Sequence, residues 1–454
     1  MALDSQSHVR LLLAGLLGLA AVVGVLAGVA PAYAVGLALA SVFAVIVLAD
    51  LALGVCVFTT VAFVEALPNV FGGLSAAKAI GGLLVLSWIA GSAYRRRGLD
   101  LASVHPALTV VLVLMVVWTA AGALWALQPG ATLVAAQSWA LNILLFPIVF
   151  SAIRTPRHLS RIYAVLAVGT LLSAVAGLLG IGGAATTEDA GRLVGAGINP
   201  NQLGGLLIIG TVFAVVLGAR RGGPGLVRVL WLACACTCGL ALALTLSRGA
   251  LVGMAVCLLV APVVVGPGRR GPVLAASGLV VVTVVLAILA LVPTADSARL
   301  LGDTSGSGRT DIWQVGLRMV ADNPVAGVGA NNFPANNIRY LIQPGVIADD
   351  YYIVDVPKVP HNIYLQALAE LGIIGLGLFL TIIGVSLSAG LRAARNFARD
   401  RERTAELYAR ALVIATVGFL AFEFFSSQMY SKALWLLLAL GPATLAISSR
   451  GQRT

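Results

Sequence analysis

The sequence predicts an all-α, polytopic membrane helix bundle of about 12–14 transmembrane helices, with one long external loop that contains short helices. Three observations predict it. Hydrophobic residues fill 59% of the 454 positions and charged residues only 10%, which is more apolar surface than a soluble core of this length can bury. Mean hydropathy is +0.99. The apolar residues also come in blocks of about 17 to 25, the length that crosses a hydrocarbon core of ~30 Å as a helix.

Taken in order, the blocks lie near 9–30, 33–50, 51–67, 72–93, 105–127, 131–151, 159–181, 201–219, 227–246, 249–266, 272–292, 362–389, 407–427 and 431–449. Arg10 precedes the first block, which shows no small-residue cleavage site, so it reads as a retained span. With fourteen spans, "YRRRG", "RTPRHLSR", "ARRGGPGLVR", "GPGRR" and "RAARNFARDRER" all fall on one side. The positive-inside rule makes that side the cytoplasm and places both termini there, as expected of a multi-pass protein of the cytoplasmic (inner) membrane. Acids gather on the opposite side, among them Glu188, Asp189, Asp296, Asp303, Asp349, Asp350 and Asp355. The net charge of +11 thus reflects topology, and nucleic acid is not expected as a partner.

Cys56, Cys234, Cys236, Cys238 and Cys257 all sit in apolar blocks. On a helix the sulfurs of "CACTC" lie two and four positions apart and do not converge as metal ligands must, so they read as small packing residues. The single long loop, 293–361, is expected on the external (periplasmic) side. Within it "TDIWQVGLRMVADNP" has the pattern of an amphipathic helix, with Thr310 as its cap, Ile312, Val315, Met319 and Val320 on one face, and Asn323-Pro324 as its stop. Asp349, Asp350 and Asp355 read as a solvated acidic stretch rather than a cation site, and neither a metal nor another cofactor is expected.

Four polar groups on that side are candidates for chemistry, because polar residues at membrane depth are costly. In "GRLVGAGINPNQLGGLL", Arg192 precedes Asn199-Pro200-Asn201, which either start a helix with asparagine caps or help line a site. "TLSRGALVG" sets Arg248 in a tight turn on the face where basic residues are disfavoured. In "GSGRTDIW", Arg309 stands where glycines and a helix N-terminus would expose backbone N–H groups to a phosphate. Finally, "VPHNIYLQALAELG" puts His361 and Asn362 at the start of an apolar helix, in a chain with only four histidines. Asn362 suffices as the cap, so a cap needs no histidine.

Such a set suits displacement at a phosphorylated sugar. Arginines in a partly dry site stabilise charge on departing phosphate oxygens, and a neutral imidazole accepts the proton of an attacking hydroxyl. Mid-span charge is scarce, with Asp50 and Glu423 the main instances, and Glu423 reads as a structural partner of Lys432 near the ends of the last two spans. That scarcity argues against a lipid-linked sugar flippase or transporter, the alternative reading, whose pathway would show several charges near the midplane.

At these residues the sequence resembles the O-antigen ligase family of bacterial membrane glycosyltransferases, which also includes polysaccharide polymerases. The pattern is His361-Asn362, nine residues, Gly372, two residues and Gly375, preceded by Ser247-Arg248-Gly249 and by Gly308-Arg309 with Trp313. The resemblance covers roughly 190–390 within a chain expected to form a single integral-membrane domain, 1–454. It implies a GT-C-like fold and metal-independent, inverting transfer of a glycan from a polyprenyl (di)phosphate carrier to a hydroxyl of a glycan, lipid or protein acceptor. It further implies that Arg248 and Arg309 engage the phosphates and His361 activates the acceptor. Arg192, Asn201, Trp313, Tyr351, Tyr352 and Asn362 are expected to shape the substrate pocket, and membrane lipids to surround it. Ligase and polymerase differ in acceptor, which these residues leave open.

Overall fold

The computed structural model describes residues 5–63, 76–94, 101–181, 191–195, 198–220, 224–266, 270–291, 309–343 and 358–450. Regular structure among the described residues is entirely helical. Nine helices there are long and apolar enough to cross a membrane, and five shorter apolar helices occupy the remaining expected blocks. The protein is an all-α, multi-pass membrane protein. It divides into two compact units, Met1–Arg96 and Arg97–Thr454.

The first unit holds α1 (Ser5–Val29), α2 (Pro31–Ala49), α3 (Leu51–Phe63) and α4 (Ala76–Tyr94). Asp50, read from sequence as mid-span charge, stands at the junction of α2 and α3. Its Oδ1 accepts from the N–H groups of Ala52 (2.9 Å) and Leu53 (3.3 Å), the orphan donors of a helix start. Ser87 of α4 donates to the Val47 carbonyl at 3.0 Å.

The second unit runs α5 (Leu101–Val104), α6 (Pro106–Ala121), α7 (Pro129–Ile143), α8 (Leu145–Ala152), α9 (Pro156–Leu178), α10 (Pro200–Ala219), α11 (Gly225–Leu244), α12 (Arg248–Val265) and α13 (Arg270–Leu291). It continues with α14 (Arg309–Asp322), α15 (Phe333–Leu341), α16 (Ile363–Arg399), α17 (Arg403–Phe422) and α18 (Lys432–Arg450). Pro106, Pro129, Pro156 and Pro200 each open a helix, where the missing N–H would be an orphan in any case. α10 is apolar all round and accordingly central, packed on α9, α11, α12 and α17. A second core joins α7, α8, α16 and α18, where Trp139, Phe146, Phe379 and Trp435 meet edge-on or tilted.

The amphipathic reading of 310–324 is met in α14, whose Ile312, Val315 and Met319 are fully buried with Phe333 and Tyr340 of α15. Two boundaries differ from expectation. α14 already includes Arg309, so Thr310 lies inside the helix instead of capping it. α16 continues past residue 389 to Arg399, because "RAARNFAR" is rich in strong helix formers even where it leaves the apolar block. Cys236 is exposed, whereas Cys56, Cys234, Cys238 and Cys257 are buried as packing residues.

Candidate active site

The site is built around a break in α16. Gly372 has φ 67° and ψ −173° in the middle of an otherwise helical run, a backbone state that glycine alone adopts without strain. A break frees carbonyls and N–H groups that must find partners in a buried setting. The stretch 324–329 supplies them. Val328 and Gly329 donate to the carbonyls of Ala369 and Glu370, both at 2.9 Å, and Ile373 donates to Pro324 at 2.9 Å. The Trp118 indole donates to the Leu371 carbonyl at 2.9 Å, and Gly375 leaves room for Trp118 and Leu371 beside it.

Glu370 and Asn332 lock this stretch in place. The fully buried Glu370 carboxyl accepts from the Asn331 N–H at 2.8 Å and from the Gln366 amide at 3.3 Å. Asn332, also fully buried, donates to Thr132 at 2.8 Å and accepts from the Gln128 N–H at 2.7 Å. The loop after α14 is thereby tied both to α16 and to the start of α7.

His361 lies two residues before α16. Asn362 caps the helix, accepting from the N–H groups of Tyr364 and Leu365, both at 3.0 Å. The imidazole is therefore not spent on capping. His361 has φ 50°, an uncommon state for a residue with a Cβ. Its neighbours hold it there: Trp313 donates its indole N–H to the Pro360 carbonyl at 2.7 Å, and Asn337 donates to the Lys358 carbonyl at 2.8 Å. Burial, and the nearby charges of Arg309 and Lys358, push the His361 imidazole down from 6.5 to about 4. Arg309 is the first residue of α14 and stands one turn before Trp313, on the same helix face.

The start of α12, which carries Arg248, connects to the same neighbourhood through the turn that follows α17. Arg248 is the first residue of α12, after the Ser247 cap. The next residue, Gly249, packs directly on Phe425, where any Cβ would lie 2.8 Å from that side chain. Phe425 ends the short 3-10 turn Glu423–Phe425. The ring of Phe424 in that turn meets Trp313 edge-on at 5.7 Å and Tyr364 at 6.3 Å. One turn of chain therefore touches the start of α12, Trp313 of α14 and Tyr364 of α16, the three elements that carry Arg248, Arg309 and His361.

Arg192 and Asn201 meet each other: Arg192 Nη2 donates to Asn201 Oδ1 at 2.9 Å, and its Nε to the Thr245 carbonyl at 3.0 Å. Asn199 caps α10, accepting from the Gln202 N–H at 2.9 Å. The helix-start reading of "NPN" is met in Asn199, which caps, while Asn201 pairs with Arg192. Tyr351, Tyr352, Gly308, Asp349, Asp350 and Asp355 lie outside the described residues.

The sequence reading missed Glu370, Asn332 and Trp118. The signal for Glu370 was there, an acid inside the apolar run "ALAELG". Asn332 gave none, since its partner Thr132 is 200 residues away. Glu423, read as a partner of Lys432, is fully buried and accepts from the Gln428 N–H at 3.1 Å.

A helix break at Gly372, the half-buried His361, and Arg248 and Arg309 at helix starts make up the candidate site of a polytopic membrane protein. Residues 232–380 match the model of the O-antigen ligase family, a stretch from α11 into α16 that contains Arg248, Arg309, Trp313, His361, Asn362, Gly372 and Gly375. The chain is also similar to the exopolysaccharide production protein ExoQ of Rhizobium meliloti (strain 1021), 26% identical over 244 residues that make up 50% of this chain and 52% of ExoQ. It thus spans about half the length of that curated relative. Arg192 and Asn201 precede the family match.

Proposed function

We propose that the protein is a metal-independent, inverting membrane glycosyltransferase of the O-antigen ligase type. It takes a glycan from a polyprenyl (di)phosphate carrier at the outer face of the cytoplasmic membrane and passes it to an acceptor hydroxyl. The observation that carries this reading is that Arg248 and Arg309 each stand at the first position of a helix, with His361 beside Arg309. A helix N-terminus and a guanidinium both favour an anion, and together they suit a phosphate leaving group.

In this reaction the acceptor oxygen attacks the anomeric carbon from the face opposite the phosphate. The carbon–oxygen bond to the carrier breaks, and its electron pair leaves on the phosphate oxygen, where Arg248 and Arg309 stabilise it. The acceptor proton passes to His361. On its own the imidazole is a weak base, because burial and two cations disfavour its charged form. A bound phosphate offsets the field of Arg309 and Lys358, so His361 gains basicity when the donor arrives. Trp313 and Asn362 hold His361 in place, and Arg192 with Asn201, Tyr351 and Tyr352 shape the pocket.

The similarity to ExoQ, an exopolysaccharide production protein, favours polymer assembly as a second reading of the same chemistry. The test is deletion of the gene in its host, with carrier-linked and surface glycans profiled by mass spectrometry and an external glycosidase reporting sidedness. Long glycans stranded outside on the carrier identify a ligase, and single repeats on the acceptor a polymerase. Carrier-linked glycan out of the glycosidase's reach identifies a flippase and overturns the assignment of His361.

A further inference from the structure

A cleft lies far from His361, at the opposite ends of the helices that begin at Pro200 and Arg248. It opens between α10, α12, α13 and α17, and its volume, open mouth included, is about 710 Å³. Its walls are aliphatic, with Val215, Met254, Leu258, Ala261, Ala276 and Ile414 among them. Along α12 it runs from Met254 to Val265, eleven residues or about 16 Å of helix. This is about half of the ~30 Å hydrocarbon thickness, the depth of one leaflet.

Four arginines belong to the helix ends that bound the cleft, one of them paired with an acid. Arg410 lines the cleft itself and is held by Glu406 Oε1 at 2.9 Å and by the Val264 carbonyl. Arg220 follows Ala219, the last cleft residue of α10. Arg270 donates to the Pro262 carbonyl at 3.2 Å, next to Ala261 in the cleft wall. Arg403 stands one turn before Leu407, another lining residue. A one-leaflet apolar slot with a cationic rim matches a single lipid that has an acyl chain to bury and a negative phosphate to place among arginines.

We propose that this cleft binds an acyl chain of an anionic glycerophospholipid, whose phosphate sits among Arg220, Arg270, Arg403 and Arg410. The lipid fills the space between α13 and the α10–α12–α17 core, and so couples α13 to the rest of the unit. One-leaflet depth and a rim at the helix ends away from Arg248 and Arg309 set this occupant apart from the carrier lipid of the proposed reaction.

The test uses the full chain, purified in detergent and melted with added phosphatidylglycerol, phosphatidylcholine or polyprenyl phosphate, alongside native mass spectrometry of retained lipid. Phosphatidylglycerol is expected to raise the melting temperature more than phosphatidylcholine does, and one phosphatidylglycerol to stay bound. Ala276→Phe puts a ring into the cleft from a partly exposed helix face, and Arg270→Gln with Arg403→Gln removes rim charge. Each variant is expected to lose the phosphatidylglycerol preference while melting like wild type in phosphatidylcholine. Should Ala276→Phe fail to fold, Ala261→Phe serves on the facing wall. Equal shifts from both phospholipids, or a preference that survives in the filled variants, overturn the proposal. A shift specific to polyprenyl phosphate and abolished by Ala276→Phe overturns it too, and assigns the cleft to the carrier's tail. Neither result bears on His361.

Discussion

The Trp313 indole donates to the Pro360 carbonyl at 2.7 Å, so the helix that begins with Arg309 also fixes the backbone just ahead of His361. The bond sets the distance between a cation and an imidazole that share no sequence neighbourhood. Trp313→Phe keeps an aromatic ring at this position but removes the indole N–H donor together with part of the ring's packing. Its cost in stability is expected to exceed the about 1 kcal/mol that one such bond is worth, because packing is lost as well. Loss of glycan transfer should be larger, on the order of ten- to a hundredfold, because misplacement of a catalytic group by ~1 Å is that costly. Complementing a deletion strain and quantifying surface glycan checks the second figure, and thermal melting in detergent the first.

Gly372 gives a sharper stability test. A Cβ there would fall on the Val325 carbonyl, and φ is 67°. Gly372→Ala must therefore push the 324–329 stretch off α16 and orphan its backbone partners, with an expected loss of several kcal/mol. Gly377, five residues on, has nothing within 4 Å of its Cβ position. Gly377→Ala should be neutral or stabilising by up to ~1 kcal/mol, as for any exposed helix interior. Equal melting temperatures for the two variants would remove the break from its structural role.

These glycines show what was legible in the sequence. The pattern from His361 through Gly372 to Gly375 marks the candidate site, and the fourteen apolar blocks mark the helices, because hydropathy and helix length are local properties. Why Gly372 is glycine was not legible: the answer is Val325, 47 positions earlier and across a loop. Asn362 could be read as a cap from the few residues around it. The bond from Asn332 to Thr132 could not, since a pairing over 200 residues leaves no local trace. Thr310 misled for a related reason. A threonine before an amphipathic run is a good cap by local rules, yet the helix takes in Arg309 as well.

Arg192 and Asn201 form a pair whose role can be separated from direct substrate contact. Arg192 ties the start of α10 to the turn before Ser247 through Asn201 and Thr245. Arg192→Ala and Asn201→Ala are each expected to lower stability, with a coupling energy of about 0.5–3 kcal/mol in a double-mutant cycle, as for groups in contact. Because that turn leads into Arg248, transfer should fall with either change. Additive melting effects would show that the pair does not position Arg248.

The depressed basicity of His361 fixes the sign of a pH dependence. Its pKa is about 4 in the folded chain against an ordinary value of 6.5, so between these values the unfolded chain binds the extra proton. Stability from this group is therefore fully present above about pH 6.5 and is lost as pH falls from there towards 4. The largest amount at stake is about 3 kcal/mol, the worth of moving the group over that interval at ~1.36 kcal/mol per pH unit. His361→Gln has no such proton to exclude and should melt with a flatter profile over that window. Activity should respond in the other direction to donor binding. A phosphate beside Arg309 raises the imidazole, so the acid limb of kcat, which reports the loaded enzyme, should lie at higher pH than that of kcat/KM, which reports the free one. Coincident limbs would mean that donor charge does not reach His361, and would count against its place beside the leaving group.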